Sequence, residues 1–157
     1  MAFFSRPEEP HSQGGGRPEP ISRDRLEAVL KARDYRYFID SEGDIGGSWD
    51  GHLFYFFFYG EHREILQIRG RWNRELPLAL RPQVLEVIDQ WHRDKIWPKV
   101  YTRVSDENIA VYCEFTVDLE QGVTDEQLNI ILSLGISPAC SAFDHLNDRF
   151  PATIQPQ

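Results

Sequence analysis

The order of periodic segments along the chain predicts an α+β domain, α-β-β-β-α-β-β-α, with an antiparallel sheet and helices packed mainly on one face. Two observations carry the sheet. Ile109, Val111, Cys113, Phe115, Val117 and Leu119 alternate strictly with Ala110, Tyr112, Glu114, Thr116 and Asp118, the pattern of a strand with one side in a core. The run Leu53-Phe54-Tyr55-Phe56-Phe57-Phe58-Tyr59 is apolar and strand-length. A third observation carries the helices: Leu80, Val84, Ile88 and Trp91 recur at helical spacing, with Leu85 and Val87 widening the stripe.

The elements follow in order. Ser22 can cap a helix over about residues 22–33, whose apolar side is Leu26, Val29 and Leu30. Tyr35 to Ile39 reads as a strand, closed by the turn residues Asp40-Ser41-Glu42-Gly43-Asp44. Gly46, Gly47 and Gly51 predict an irregular connection into the aromatic strand. Gly60-Glu61-His62-Arg63 turns the chain into a hairpin partner over Glu64 to Trp72. Pro77 and Pro82 bracket a helix start, and that helix ends near Lys95, before Pro98. Val100 to Val104, a turn at Ser105-Asp106-Glu107-Asn108, and Ile109 to Leu119 supply the last two strands. Thr124 and Gln127 form a capping box for the final helix. Gly135 and Pro138 are expected to interrupt it before a second helical stretch runs to about Arg149.

Residues 1–20 carry Pro7, Pro10, Pro18, Pro20 and the triplet Gly14 to Gly16, with almost nothing apolar after Phe4, so a mobile tail is expected there. The domain spans 21–150, and 151–157 form a short C-terminal tail. At 157 residues, 41% hydrophobic and 13% aromatic, the chain can bury one core without staples. A net charge of −8 argues against nucleic acid as a partner. Two cysteines, Cys113 and Cys140, are too few for a secreted disulfide framework and read as buried thiols. No apolar stretch approaches a bilayer span and no signal-peptide core is present, so no membrane contact and a cytoplasmic location are expected.

Catalytic and metal chemistries find little support. Asp40-x-Glu42-x-Asp44 invites a calcium loop, but Ile45 stands at the sixth position and Gly51 at the twelfth. His52 beside Asp50, His92 beyond Asp89, and His145 beside Asp144 and Asp148 read as surface pairs, short of the three or four convergent ligands a metal needs. Gly46-Gly47-Ser48 lacks the lysine of a phosphate loop, and the common hydrolase, zincin and dinucleotide motifs are absent. Asp50 and His52 would be an acid/base pair without a nucleophile or oxyanion donors. No catalytic residue, metal or cofactor is assigned.

Several stretches together resemble a known family. They are Gly43-Asp44-Ile45-Gly46-Gly47-Ser48-Trp49-Asp50-Gly51, Ile65-Leu66-Gln67-Ile68, Trp91 through Tyr101, and Val123-Thr124-Asp125-Glu126-Gln127-Leu128. Over about residues 21–150 the chain resembles YbjN-domain proteins of the actinobacterial kind, described as bacterial sensory-transduction regulators. The resemblance implies a fold like that of class I type III secretion chaperones: small acidic α+β proteins, often dimers, that bind extended segments of partners. It therefore implies a non-enzymatic regulatory or chaperone-like binding module, and it carries over no catalytic residue.

Strand periodicity names the candidate contact surface. Phe54, Phe56, Phe58, Leu66 and Ile68 are expected to face the helices; Tyr55, Phe57, Tyr59, Arg69, Arg71 and Tyr112 then share the opposite face. Tyrosine and arginine are the residues that protein interfaces favour. The expected partner is a protein or a second copy forming a homodimer. The rival reading is a small-ligand or metal-ion sensor using the Asp40–His52 loop, for which a deep pocket lined by Trp49, Asp50 and His52 would speak.

Overall fold

The computed structural model describes residues 16–152. The reading of 1–15 and 153–157 as tails lies outside the described residues. Helix α1 (Arg23–Ala32) is followed by strands β1 (Tyr37–Ile39), β2 (Ile45–Trp49), β3 (His52–Tyr59) and β4 (Ile65–Pro77). A 3-10 turn (Leu78–Leu80) leads into α2 (Arg81–Asp94), then β5 (Lys99–Ser105), β6 (Asn108–Asp118) and α3 (Asp125–Arg149). The strands form one six-stranded sheet, ordered β1-β2-β3-β4-β6-β5, with every neighbouring pair antiparallel.

The expected α+β order holds, with one strand added. Residues 45–49, read as an irregular connection, are strand β2. Asp50 (φ 50°) and Gly51 (φ 77°) form a two-residue turn between Trp49 and His52, and only such left-handed positions match the twist of the flanking strands. The two glycines that suggested irregularity are covered positions. A Cβ on Gly46 would fall 2.4 Å from the Phe38 ring, and one on Gly47 2.5 Å from the Trp49 ring. Each aromatic ring supplies the apolar cover that a strand glycine cannot.

Helix α3 is also continuous, with Pro138 inside it. A proline in a helix interior costs about 3 kcal/mol, but here both halves carry one buried stripe. Leu128, Leu132 and Ile136 continue into Ala139, Cys140, Phe143 and Leu146. Packing of that stripe outweighs the lost hydrogen bond. Gly135 marks a close approach to the sheet, since a Cβ there would lie 2.3 Å from Ile68 Cδ1. The caps are as expected: Ser22 Oγ accepts from Arg25 N at 3.2 Å, and Thr124 and Gln127 cap each other reciprocally.

Helix α3 lies across β4 and β6, with α1 packed against it and α2 against α3 and β5. One core results. Phe54, Phe56, Leu66 and Ile68 have essentially no exposure, each burial contributing roughly 1.5–3 kcal/mol. Cys113 and Cys140 are buried free thiols; burial raises both, Cys140 to about 12, with Asp50 and Asp144 adding to it. Residues 16–20, counted above with the tail, reach the domain: Glu19 and Val123 exchange main-chain hydrogen bonds of 3.2 and 2.9 Å.

Strand β6 is longer than its neighbour β5. Strand β5 begins at Lys99, opposite Glu114, whereas β6 continues to Asp118, opposite Ile65 of β4. Phe115–Asp118 therefore has a strand on one side only among the described residues.

Candidate functional site

The register of β3, β4 and β6 settles which side chains share the uncovered face. Tyr55 pairs with Arg69 and Arg69 with Glu114; Leu53 pairs with Arg71 and Arg71 with Tyr112. Directly opposed residues project to the same side. Tyr55, Phe57, Tyr59, Arg69, Arg71 and Tyr112 thus stand together, opposite Phe54, Phe56, Phe58, Leu66 and Ile68, as the alternation predicts.

Two aromatic stacks flank a charged centre on this face. Along β3, Tyr55 stacks on Phe57 (centroids 5.6 Å, 13° between planes), and Phe57 leans on Tyr59 at 6.1 Å. Phe38 of β1 meets Tyr55 edge-on at 5.8 Å. On the other flank Tyr101 of β5 stacks on Tyr112 of β6 at 5.5 Å, and the Arg103 guanidinium lies over both rings.

Between the stacks sits Glu114, only 7% exposed although it is on the uncovered side. Arg69 Nε donates to its Oε1 at 2.8 Å, Lys99 Nζ reaches its Oε2 at 2.7 Å, and the Tyr101 hydroxyl donates to it as well. Burial alone would push the Glu114 carboxyl up; the hydrogen bonds from Lys99, Tyr101 and Arg69 outweigh it and hold the group below its usual range. Tyr101 is pushed up to about 12, by burial first and then by its bond to Glu114, so it stays a proton donor. Arg69 also lies over the Phe57 ring at 4.9 Å and donates to Gln67 Oε1, while Gln67 donates to Thr116 Oγ1 at 3.1 Å. Arg71 pairs with Glu75 beyond the bulge in β4.

The sequence reading did not single out Lys99, Tyr101 and Arg103. Their signal was available in the alternation of Lys99, Tyr101 and Arg103 with Val100 and Thr102 in β5. What could not be read was that β5 pairs with β6 in the register that brings Lys99 to Glu114 and Tyr101 to Tyr112.

The Asp40–His52 segment is not a loop. Strand β2 separates the Asp40 turn from the Asp50–Gly51 turn, so Asp44 and His52 stand at opposite ends of a hairpin. Asp40, Glu42 and Asp44 do bring carboxylate oxygens within 4.8 Å of one another. One oxygen of Asp40 is already occupied, accepting from Glu42 N and Asp44 N at 2.9 Å, which makes it the turn's own fastening. His52, expected at the surface, is buried at 2% exposure. Its Nδ1 accepts from Asn73 N at 3.1 Å, inside the β4 bulge, and its ring packs on Phe143 at 4.6 Å. Burial lowers its pKa, with Asp144 and Asp50 pulling the other way, so the neutral ring acts as a structural acceptor. His92 is structural too: its Nε2 accepts from Val100 N at 3.0 Å and fixes the start of β5.

Among the described residues no helix is long and apolar enough to cross a membrane. No curated protein matches the chain. A solved structure described as "Crystal structure of YbjN, a putative transcription regulator from E. coli" superposes with a TM-score of 0.73 at 12% identity, covering 85% of this chain and 96% of that one. At that identity the likeness shows the fold. The family model described as "Putative bacterial sensory transduction regulator" matches residues 22–148. With nearly the whole domain covered by that match, the chain belongs to the YbjN family.

Proposed function

We propose that this protein is a non-enzymatic regulatory or chaperone-like module that binds a protein partner across the uncovered face of its sheet. One observation carries the reading: no helix among the described residues covers that face, yet it holds Tyr55 stacked on Phe57 and Tyr101 on Tyr112, with Tyr59 leaning on Phe57, beside Arg69, Arg71 and Arg103. Stacked rings are a rigid contact area, and arginines held over them are oriented donors that give up little freedom on binding. The rival, a ligand or ion sensor at Asp40–His52, has the Asp40–Glu42–Asp44 cluster in its favour and the burial of His52 against it.

The test is a pull-down from the native host with the tagged protein, repeated with Tyr55→Ala and Arg71→Ala combined, since Arg71 pairs with the exposed Glu75 and its loss leaves Glu114 its partners. The double variant is expected to lose partners that the wild type retains, while its melting temperature stays nearly unchanged. Retention of every partner would leave the face as solvated surface and remove the reading.

A further inference from the structure

Thr116 and Asp118 stand on an open strand edge. The odd residues of β6 bond to β4: Val117 pairs with Leu66 and Phe115 with Ile68, and Leu119 N donates to Glu64 O at 2.9 Å. In an antiparallel ladder the even residues aim their N–H and C=O groups the other way, toward β5. Glu114 meets Lys99 there, but Thr116 and Asp118, both exposed, have no strand opposite among the described residues. Such an edge takes up a further strand unless charge, a bulge or a cover prevents it.

The surroundings of the edge specify what fits it. On the helix side Val117 borders a cavity of about 300 Å³ shared with Leu119, Ile130 and Ile131, and Ile130 is 54% exposed. Toward β5 a cavity of about 560 Å³ lies against Ile96, Trp97 and Phe115, and Ile96 is 85% exposed. Trp97 meets Phe115 edge-on at 5.8 Å, so its ring forms a wall of that cavity. The two ends carry opposite charge. Lys95 lines the larger cavity, whereas Asp118 and Glu120 stand at the far end of the edge, and none of the three forms an ion pair among the described residues.

We propose that an extended segment of another protein adds to the sheet at this edge, antiparallel to β6, and that it reads basic, apolar, polar, apolar, acidic. Each place follows from the register. An antiparallel segment runs from Asp118 toward Glu114, so its first residue meets Asp118 and Glu120 and is basic. Its second lies opposite Val117 and points to the helix side, into the cavity beside Ile130. Its third exchanges two main-chain hydrogen bonds with Thr116, as its first does with Asp118. There the ladder closes, because Glu114 is already paired with Lys99. The fourth residue leaves the edge with its apolar side chain against Ile96 and Trp97, and the fifth brings its carboxylate to Lys95. Main-chain bonds hold the segment whatever its sequence; the two cavities and the two charged ends select it. A second copy's β6 would set Thr116 against Asp118 and bring no basic residue to it. Tyr55 and Arg71 take no part, so the inference goes beyond the sheet-face reading and stands apart from it.

The test uses the full chain carrying Val117→Cys and the end-capped peptide Lys-Cys-Thr-Leu-Glu, its cysteine activated as a disulfide with 2-thiopyridine. Opposed residues of a non-hydrogen-bonded antiparallel pair lie roughly 4.5 Å apart at Cα, within disulfide reach. The thiolate introduced at position 117 attacks the peptide sulfur, a disulfide joins peptide to protein, and pyridine-2-thione leaves and is followed by its absorbance. Val104→Cys, at an exposed position of β5, gives the baseline rate. Position 117 is expected to react about tenfold faster with this peptide than with Glu-Cys-Thr-Leu-Lys, in which two attractive charge contacts become repulsive. Lys95→Glu combined with Glu120→Lys should invert that preference. Adding Thr116→Pro should return the rate to the baseline with an unchanged circular dichroism spectrum, because proline removes one outward N–H and spares the ladder to β4. If that variant fails to fold, the charge exchange decides alone. Equal rates for the two peptides, or rates no higher than the baseline, overturn the proposal. So does a Val117→Cys chain that links to its own copy in preference to the peptide, which would give the edge to a second copy.

Discussion

The two faces of strand β3 are built from almost the same material and do opposite things. Phe54, Phe56 and Phe58 point one way, Tyr55, Phe57 and Tyr59 the other. On the first side α3 comes close enough that Gly135 is needed at the contact, and the rings of Phe54 and Phe56 disappear from solvent. On the second side the rings stack on one another and on Arg69, and a carboxylate, Glu114, is buried among them. Aromatic content alone does not decide which face is core. The decision lies with what the neighbouring strands place beside the rings: Leu66, Ile68 and Gly70 on one side, Gln67, Arg69 and Arg71 on the other.

The sharpest way to break this comparison is to truncate adjacent rings. Phe56→Ala should cost about 3–5 kcal/mol in chemical denaturation, since a full ring leaves a cavity under α3. Phe57→Ala, one residue away, should cost no more than about 1 kcal/mol, the scale of a cross-strand surface pair. Equal losses would mean that the uncovered face is as much core as the other.

Next in size is the helix contact. Gly135→Leu forces a side chain into Ile68 and should lose about 1–3 kcal/mol. A neutral effect would show that α3 can lift from the sheet and that the covered face is less tightly packed than its burial implies.

His52 provides a smaller effect with a defined sign. Its folded pKa lies below the unfolded value of about 6.5, so the neutral form is the one the fold favours. The stability tied to it is complete above pH 6.5 and is lost as pH falls from there through the lowered folded value. Melting temperature measured across pH 7 to 5 should drop in the wild type and drop less in His52→Gln. Equal slopes would place the acid sensitivity elsewhere. Glu114, held low by its cations, acts only further down, below its ordinary value of about 4.5.

The smallest expected effect is none at all. Calcium, magnesium or zinc should leave the melting temperature unchanged, because ligand binding to the folded state must raise it. An upward shift that Asp44→Ala abolishes would promote the Asp40 turn from a fastening to a binding site.

The two faces also differ in how far they were legible. The alternation in β3, β4 and β6 assigned every candidate residue to its side, because a strand's period of two is set by the backbone and does not wait for a partner. The Thr124–Gln127 box was readable for the same reason: its bonds close within one turn of helix. Strand β2 was hidden because glycine in a sequence signals looseness, and nothing local reveals that Phe38 and Trp49 will lie over Gly46 and Gly47. Pro138 misled in the same way, since its local penalty is visible and the buried stripe that overrides it is not.

By itself, then, the sequence determined what closes within a few residues: the alternating faces, the helix caps and the apolar stripes. Only the tertiary structure decided that Glu114 is buried between two cations, that His52 is a core acceptor for a bulge more than twenty residues away, and that β6 outruns β5 to leave an edge. The physical reason is range. A backbone period or a cap is paid back by neighbours along the chain, whereas burial, ion pairing and strand length are settled by which distant segments arrive alongside.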